Sequence, residues 1–265
     1  MNRFRTVEVS DPCFERDGLR WLTVRGQGLA GRGDITVFVP PEAEGRRDVP
    51  LVLLLHGVYG SHWAWALKGG AHRIAAGMIR SGEIPPMVIA MPSDGLSGDG
   101  SGYVRQARAD YEEWIVGDVP AAVRHATATV GDGSPWFMAG LSMGGFGAMR
   151  LGARHADRFR AVSGLSSATH LDQLRPLMGE APGWEGAGVE DAGVAEAMLR
   201  AARLPAIRFD CGTEDRLLEG NRALHRALDA AGIPHEYREY PGGHTWEYWA
   251  RHLPETLRFF GARAG

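Results

Sequence analysis

Ser142 lies in the run Gly140-Leu141-Ser142-Met143-Gly144, with Gly145 directly after it. G-x-S-x-G on its own is a weak signal in a chain with 37 glycines. Its flanks strengthen it. The apolar stretch WFMAGL runs into it as a strand, and GFGAMRLGARHA leaves it as a helix. Strand, sharp turn and helix in that order form the setting of a nucleophile elbow. The strained turn lifts the serine hydroxyl above the sheet. Small residues at 140 and 144 let neighbouring backbone pass close, and the helix N-terminus favours developing negative charge. The chemistry such a serine performs is attack on a carbonyl. The plainer reading is a Gly-rich turn with a capping serine.

A hydroxyl needs a base to take its proton, and the base needs a carboxylate to orient it. On an elbow of this kind the chain order is serine, then acid, then histidine. Six histidines follow Ser142: His155, His170, His225, His235, His244 and His252. His244 comes after the last strand, through Gly242-Gly243, at the end of the sheet where chemistry collects. His155, His225 and His252 fall in predicted helices, His235 starts a strand at the opposite end, and His170 lies in an insertion. The acid belongs in the loop after the strand Ala206–Cys211, where Asp210, Glu214 and Asp215 compete. Asp210 belongs to the strand. Spacing favours Asp215 over Glu214.

Acyl transfer also needs N–H donors for the tetrahedral oxyanion. The residue after the nucleophile, Met143, supplies one backbone N–H. The loop His56-Gly57-Val58-Tyr59-Gly60 follows the first parallel strand, and Val58 N–H is the second. His56 precedes Ser142, against the expected order, so its assigned task is shaping that loop.

These groups require a scaffold that brings strand ends together. The first 40 residues read as short strands, Thr6–Ser10, Leu19–Arg25 and Asp34–Val39, joined by Gly-rich turns such as GQGLAGRG. From residue 51 apolar strands alternate with helices. The strands are Leu51–Leu55, Met87–Met91, Trp136–Leu141, Ala161–Leu165, Ala206–Cys211 and Glu236–Tyr240. The helices span roughly Ala64–Ser81, Asp110–Ala128, Gly144–His155, Arg216–Ala231 and Tyr248–Phe260. The expected fold class is α/β: a mostly parallel central sheet with antiparallel N-terminal strands and helices on both faces. One domain over 1–265 is expected, with a small cap insertion at 168–203. Ligands of such sheets bind beyond the carboxyl ends of the strands.

The motifs LLLHGVYGSHWAW, AMPSDGLSGDGSGY, AGLSMGGFGAMRLGARH, CGTEDRLLEGNRAL and YPGGHTWEYW cover most of the chain from Leu51 onward. Together they resemble the alpha/beta-hydrolase fold. Within it the chain looks like the putative-esterase family of tributyrin, feruloyl and acetyl-xylan esterases, S-formylglutathione hydrolases and mycolyltransferases. The resemblance implies Ser142 as nucleophile, Asp215 as acid, His244 as base and Val58 and Met143 as oxyanion donors, in agreement with the residue-level reading. HGVYGSHWAW looks closest to the tributyrin-esterase branch, which prefers short acyl chains. There is no clear glutathione-site signature.

The substrate pocket should be lined from the same strand-end loops. Tyr59 and Trp63 follow the oxyanion loop, Ser93, Asp94 and Tyr103 follow the strand Met87–Met91, and Trp246 follows His244. Aromatic walls suit an apolar acyl or aryl group. Asp94 and Asp99 lack the ligand pattern of a calcium loop. The mechanism calls for no metal or cofactor.

The remaining composition narrows the class. At 265 residues, 44% hydrophobic and 23% charged, the chain is an ordinary globular protein. A net charge of −3 argues against a nucleic-acid binder. Lys68 is the sole lysine, the other basic residues being scattered arginines. Two distant cysteines, Cys13 and Cys211, form no framework, and the N-terminus lacks the apolar core of a signal peptide. A cytoplasmic protein off the membrane is expected, with homo-oligomerisation left open. Its partner is a small-molecule ester. The expected activity is that of a serine carboxylesterase on short-chain or aryl esters. The rivals are an acyltransferase or thioesterase on the same triad, and a catalytically silent hydrolase-fold binding protein.

Overall fold

Leu51 to Leu55 are all buried, and their side chains divide between two apolar clusters. Leu51, Leu53 and Leu55 join one cluster with Trp114, Phe146 and Met149. Val52 and Leu54 join the other with Trp65, Ile79 and Leu257. Alternation at a period of two, with both faces covered, is the signature of a central strand between helix layers.

The computed structural model describes residues 3–179, 183–184 and 189–265. Among these, nine strands form one sheet. They are β1 (Thr6–Val9), β2 (Leu19–Arg25), β3 (Gly33–Phe38), β4 (Leu51–Leu55), β5 (Val88–Pro92), β6 (Trp136–Leu141), β7 (Phe159–Leu165), β8 (Ala206–Gly212) and β9 (Glu236–Tyr240). Their spatial order is β1-β2-β3-β5-β4-β6-β7-β8-β9. The first three strands pair antiparallel, β3 pairs antiparallel with β5, and the rest are parallel. The fold is therefore an alpha/beta hydrolase, with β1 and β9 at the edges.

The helices are α1 (Ala64–Leu67), α2 (Ala71–Arg80), α3 (Tyr111–Glu113), α4 (Val119–Ala126), α5 (Met143–Arg154), α6 (Val194–Arg200), α7 (Leu218–Ala230) and α8 (Trp246–Gly261). None of the described helices is long and apolar enough to cross a membrane. The continuous helix expected over 64–81 is broken between α1 and α2. Gly70 there has φ +63°, and a Cβ on Gly69 would meet the Trp246 ring at 3.0 Å. The helix expected over 110–128 carries a π turn at Trp114–Asp118. Pro120 has no N–H to offer the Val116 carbonyl, which accepts from Arg158 instead at 2.8 Å. Trp114 is locked where the turn starts, donating its indole N–H to Ser93 O at 2.7 Å.

Glu112 on α3 ties this stretch to the elbow helix α5. Its carboxylate meets Arg150 at 3.2 Å, Arg154 at 3.1 Å and His155 at 2.7 Å. Burial alone would push this carboxyl up. The His155 hydrogen bond and the two guanidinium charges overcome that and pull it down to about 2.

Part of the 168–203 insertion lies outside the described residues. Of the rest, Leu171, Leu174, Trp184, Val194, Ala197 and Met198 are buried in the cluster that contains α5. These residues pack into the helix layer beside the sheet. Among the described residues of this stretch, Leu177 is the one that reaches the Ser142 cavity.

Candidate active site

Ser142 leaves β6 with φ +52° and ψ −117°, a conformation L-residues rarely adopt, and is followed at once by α5. Its neighbours show what holds it there. A Cβ on Gly140 would collide with the Gly144 backbone. One on Gly144 would sit 2.6 Å from the His56 carbonyl oxygen. The turn is anchored by Ser142 N–H donating to Leu165 O at 3.0 Å and Ala168 N–H donating to Ser142 O at 3.1 Å.

Asp215 and His244 are brought to Ser142 by two interlaced loops beyond β8 and β9. Thr213 N–H donates to Tyr240 O at 2.8 Å, and Glu214 N–H to Gly242 O at 3.0 Å. Gly242 has φ +130°, a backbone shape that requires glycine. His244 Nε2 lies 3.0 Å from Ser142 Oγ, and His244 Nδ1 lies 2.7 Å from Asp215 Oδ2. The other Asp215 oxygen accepts from Leu217 N–H at 2.8 Å. The Asp215 side chain is fully buried. Burial pushes its carboxyl up, but the hydrogen bond and charge of His244, with the Leu217 amide, outweigh that and hold it below the usual value. Glu214, the competing acid, is exposed. Asp210 is fully buried elsewhere, between Arg208 at 2.5 Å and the Tyr248 hydroxyl at 2.9 Å.

Gly57 in the loop after β4 runs against the elbow, so that a Cβ on it would lie 3.3 Å from Ser142 Cβ. Among the described residues, neither the Val58 nor the Met143 amide makes a hydrogen bond. Both stay available to an incoming oxygen. His56 braces this loop, its Nδ1 at 2.7 Å from Gly57 O.

A cavity of about 360 Å³ opens on Ser142 and His244. Tyr59, Trp63 and Trp246 line it, as the sequence suggests. Trp249, Leu177, Lys68 and Arg216 line it as well, and sequence reasoning does not reach them. Helical spacing from Trp246 is the one signal that points to Trp249. The rings form an edge-to-face series, His244–Trp249 at 4.9 Å, Trp249–Trp246 at 5.3 Å and Trp246–Trp65 at 5.5 Å. The Tyr59 hydroxyl donates to Leu177 O across the cavity.

Three expected pocket residues are elsewhere. Tyr103 is fully buried and donates its hydroxyl to His56 O at 3.0 Å. Asp94 is buried too, 3.7 Å from His56 Nε2 and accepting from Ser101 N–H at 2.9 Å. The loop after β5 folds inward, so both stand behind the oxyanion loop and off the Ser142 cavity wall. Ser93 is likewise buried, bonded to Asp34 N–H at 3.1 Å.

One group of metal-type side chains occurs among the described residues, His225, Asp229 and His235, with ligand atoms within 4.8 Å of one another. It belongs to α7 and the approach to β9, and none of its members lines the Ser142 cavity.

Known esterases are similar to this chain in sequence and fold. An acetyl esterase of Caldicellulosiruptor saccharolyticus is 25% identical over 244 residues, which cover 83% of this chain and 88% of that one. A solved ferulic acid esterase superposes with a TM-score of 0.80 at 26% identity, over 99% of this chain and all of the other. An S-formylglutathione hydrolase from Agrobacterium tumefaciens has a TM-score of 0.77 at 18% identity, covering 99% of this chain and all of that one, which speaks for the fold. The model of the family described as "Putative esterase" matches residues 28–260. A match of that extent, over the strands and loops that carry Ser142, Asp215 and His244, makes the chain a member of that family and a carboxylic ester hydrolase.

Proposed function

We propose that the protein is a serine carboxylesterase that hydrolyses short-chain or aryl esters through an acyl-enzyme. The observation that carries this reading is the continuous relay from Ser142 Oγ to His244 Nε2 at 3.0 Å and from His244 Nδ1 to Asp215 Oδ2 at 2.7 Å. Ser142 Oγ attacks the ester carbonyl carbon while His244 Nε2 takes its proton. Negative charge moves onto the carbonyl oxygen, which the Val58 and Met143 amides receive. The tetrahedral intermediate collapses, the carbon–oxygen bond to the alcohol breaks, and His244 gives its proton to the leaving oxygen. Water, deprotonated by His244, attacks the acyl-enzyme, and the carboxylic acid leaves as Ser142 regains its proton. Asp215 stays ionised throughout and stabilises the imidazolium.

The cavity supports small acyl or aryl groups. At about 360 Å³ it is near the lower end of small-ligand pockets, and Tyr59, Trp63, Trp246 and Trp249 stand in its wall. A fluorophosphonate probe followed by peptide mass analysis tests the reading. Stoichiometric labelling of the peptide holding Ser142, lost in Ser142→Ala and strongly slowed in His244→Ala, is expected. An unlabelled wild-type protein would contradict it and favour a silent hydrolase-fold protein.

A further inference from the structure

Lys68 is the only lysine among 29 basic residues, and it stands in the wall of the Ser142 cavity. Arg216, directly after Asp215, stands in the same wall. Their surroundings differ from those of the arginines that serve as ion-pair partners elsewhere in the fold. Arg3, Arg20, Arg150, Arg154, Arg208 and Arg222 all hold carboxylates. Lys68 and Arg216 have no carboxylate partner among the described residues, and no Asp or Glu lines the cavity. The chain as a whole is acidic, at −3, so the two cations are not part of a generally basic surface.

Lys68 has an aromatic neighbour for its ammonium, and Arg216 has a fixed backbone. Lys68 Nζ sits 5.5 Å from the centre of the Trp246 ring, whose neighbours Trp249 and then His244 lead back to the reacting serine. The backbone of Arg216 is fixed by the turn that presents Asp215, with Leu217 N–H on the Asp215 carboxylate and Asp215 N–H on Gly212 O at 3.1 Å. Two like charges beside an aromatic wall bias the cavity mouth towards positive potential, since the one carboxylate close by, Asp215, is buried and engaged by His244 and the Leu217 amide.

We propose that the ester substrate carries a carboxylate or an equivalent anion, recognised by Lys68 and Arg216. This rests on the carboxylesterase reading and names its substrate class. An anionic ester would be drawn to the mouth and aligned by charge, while the neutral ester bond reaches Ser142 under the aromatic wall. The two cations leave open which side of the scissile bond carries the anion, and the test covers both sides.

Two matched pairs provide the probes. Mono-4-nitrophenyl glutarate against 4-nitrophenyl pentanoate places the charge on the acyl side. 4-Acetoxybenzoate against its methyl ester places it on the leaving side. The wild type is compared with Lys68→Met, Arg216→Met and the double variant. Met keeps an unbranched apolar side chain against Trp246, and circular dichroism verifies the fold. In at least one pair the anionic-to-neutral ratio of kcat/KM falls about fivefold per cation removed, carried by KM, on the scale of one partly exposed charge pair. Lys68→Arg retains the ratio, and added salt erodes it in the wild type. The pair that responds locates the anion. Unchanged ratios in both pairs, with Ser142-dependent hydrolysis of the neutral esters intact, overturn the anion proposal and leave the esterase reading standing. Absence of Ser142-dependent hydrolysis on all four esters overturns both.

Discussion

Gly144 of the elbow and His56 of the oxyanion loop are in backbone contact: a Cβ on Gly144 would lie 2.6 Å from the His56 carbonyl oxygen. The same oxygen accepts the Tyr103 hydroxyl at 3.0 Å. The backbone that leads to the Val58 amide is thus approached closely by Gly144 on one side and held by the Tyr103 hydroxyl on the other.

Gly144→Ala should therefore damage both fold and chemistry. The methyl would press on backbone, which cannot rotate away, at a cost of about 2 kcal/mol or more. A displaced Val58 donor should lower kcat by roughly 10². Gly77→Ala is the contrasting case. It lies inside α2 with nothing within 4 Å of an added Cβ, so stability should rise by up to about 1 kcal/mol. Thermal melts and ester turnover on the two variants check both.

Tyr103→Phe removes the hydroxyl and leaves the His56 carbonyl without that donor in a buried site. The expected stability loss is about 1 to 2 kcal/mol. As a positioning residue, Tyr103 should act through the loop, so kcat falls while KM stays close to the wild-type value. A rise in KM alone would return Tyr103 to the substrate wall.

Asp215→Asn should cost roughly 10³ to 10⁴ in kcat, because an amide can donate to the histidine and hold the wrong tautomer. Glu214→Gln changes an exposed side chain and should leave turnover within about twofold. Equal losses in the two variants would overturn the choice of acid.

Acid stability should depend on Glu112. Its folded value, about 2, lies below the ordinary 4.5. The stabilisation is then complete above pH 4.5 and is lost as the pH falls from 4.5 towards 2. The shift corresponds to no more than about 3 to 4 kcal/mol. Denaturant melts of Glu112→Gln should show lower stability at pH 7 and a flatter decline across that acid window. Asp215, also held below its usual value, adds a slope of the same sign.

The arrangement of strands and the three residues Ser142, Asp215 and His244 were legible because each depends on local order. An apolar strand followed by a Gly-rich loop places its loop at one end of a parallel sheet, whatever the packing. Wall residues depend on where a loop turns after leaving its strand. Asp94 and Tyr103 follow β5 as pocket residues would, yet their loop turns under His56. Lys68 gives the opposite lesson. In the sequence it reads as the residue left over from an arginine-rich composition. Only the break at Gly69-Gly70 and the approach of Trp246 put it in the cavity wall. The π turn at Trp114 was equally hidden, since it answers to Ser93 and Arg158, remote in sequence.

The most direct test of the central claim is steady-state hydrolysis of 4-nitrophenyl esters from acetate to laurate by the wild type and Ser142→Ala. The account predicts turnover of the short esters that falls off with chain length and drops by about 10⁴-fold or more in the variant. Activity that survives in Ser142→Ala would contradict it, because the relay through His244 and Asp215 would then serve no nucleophile.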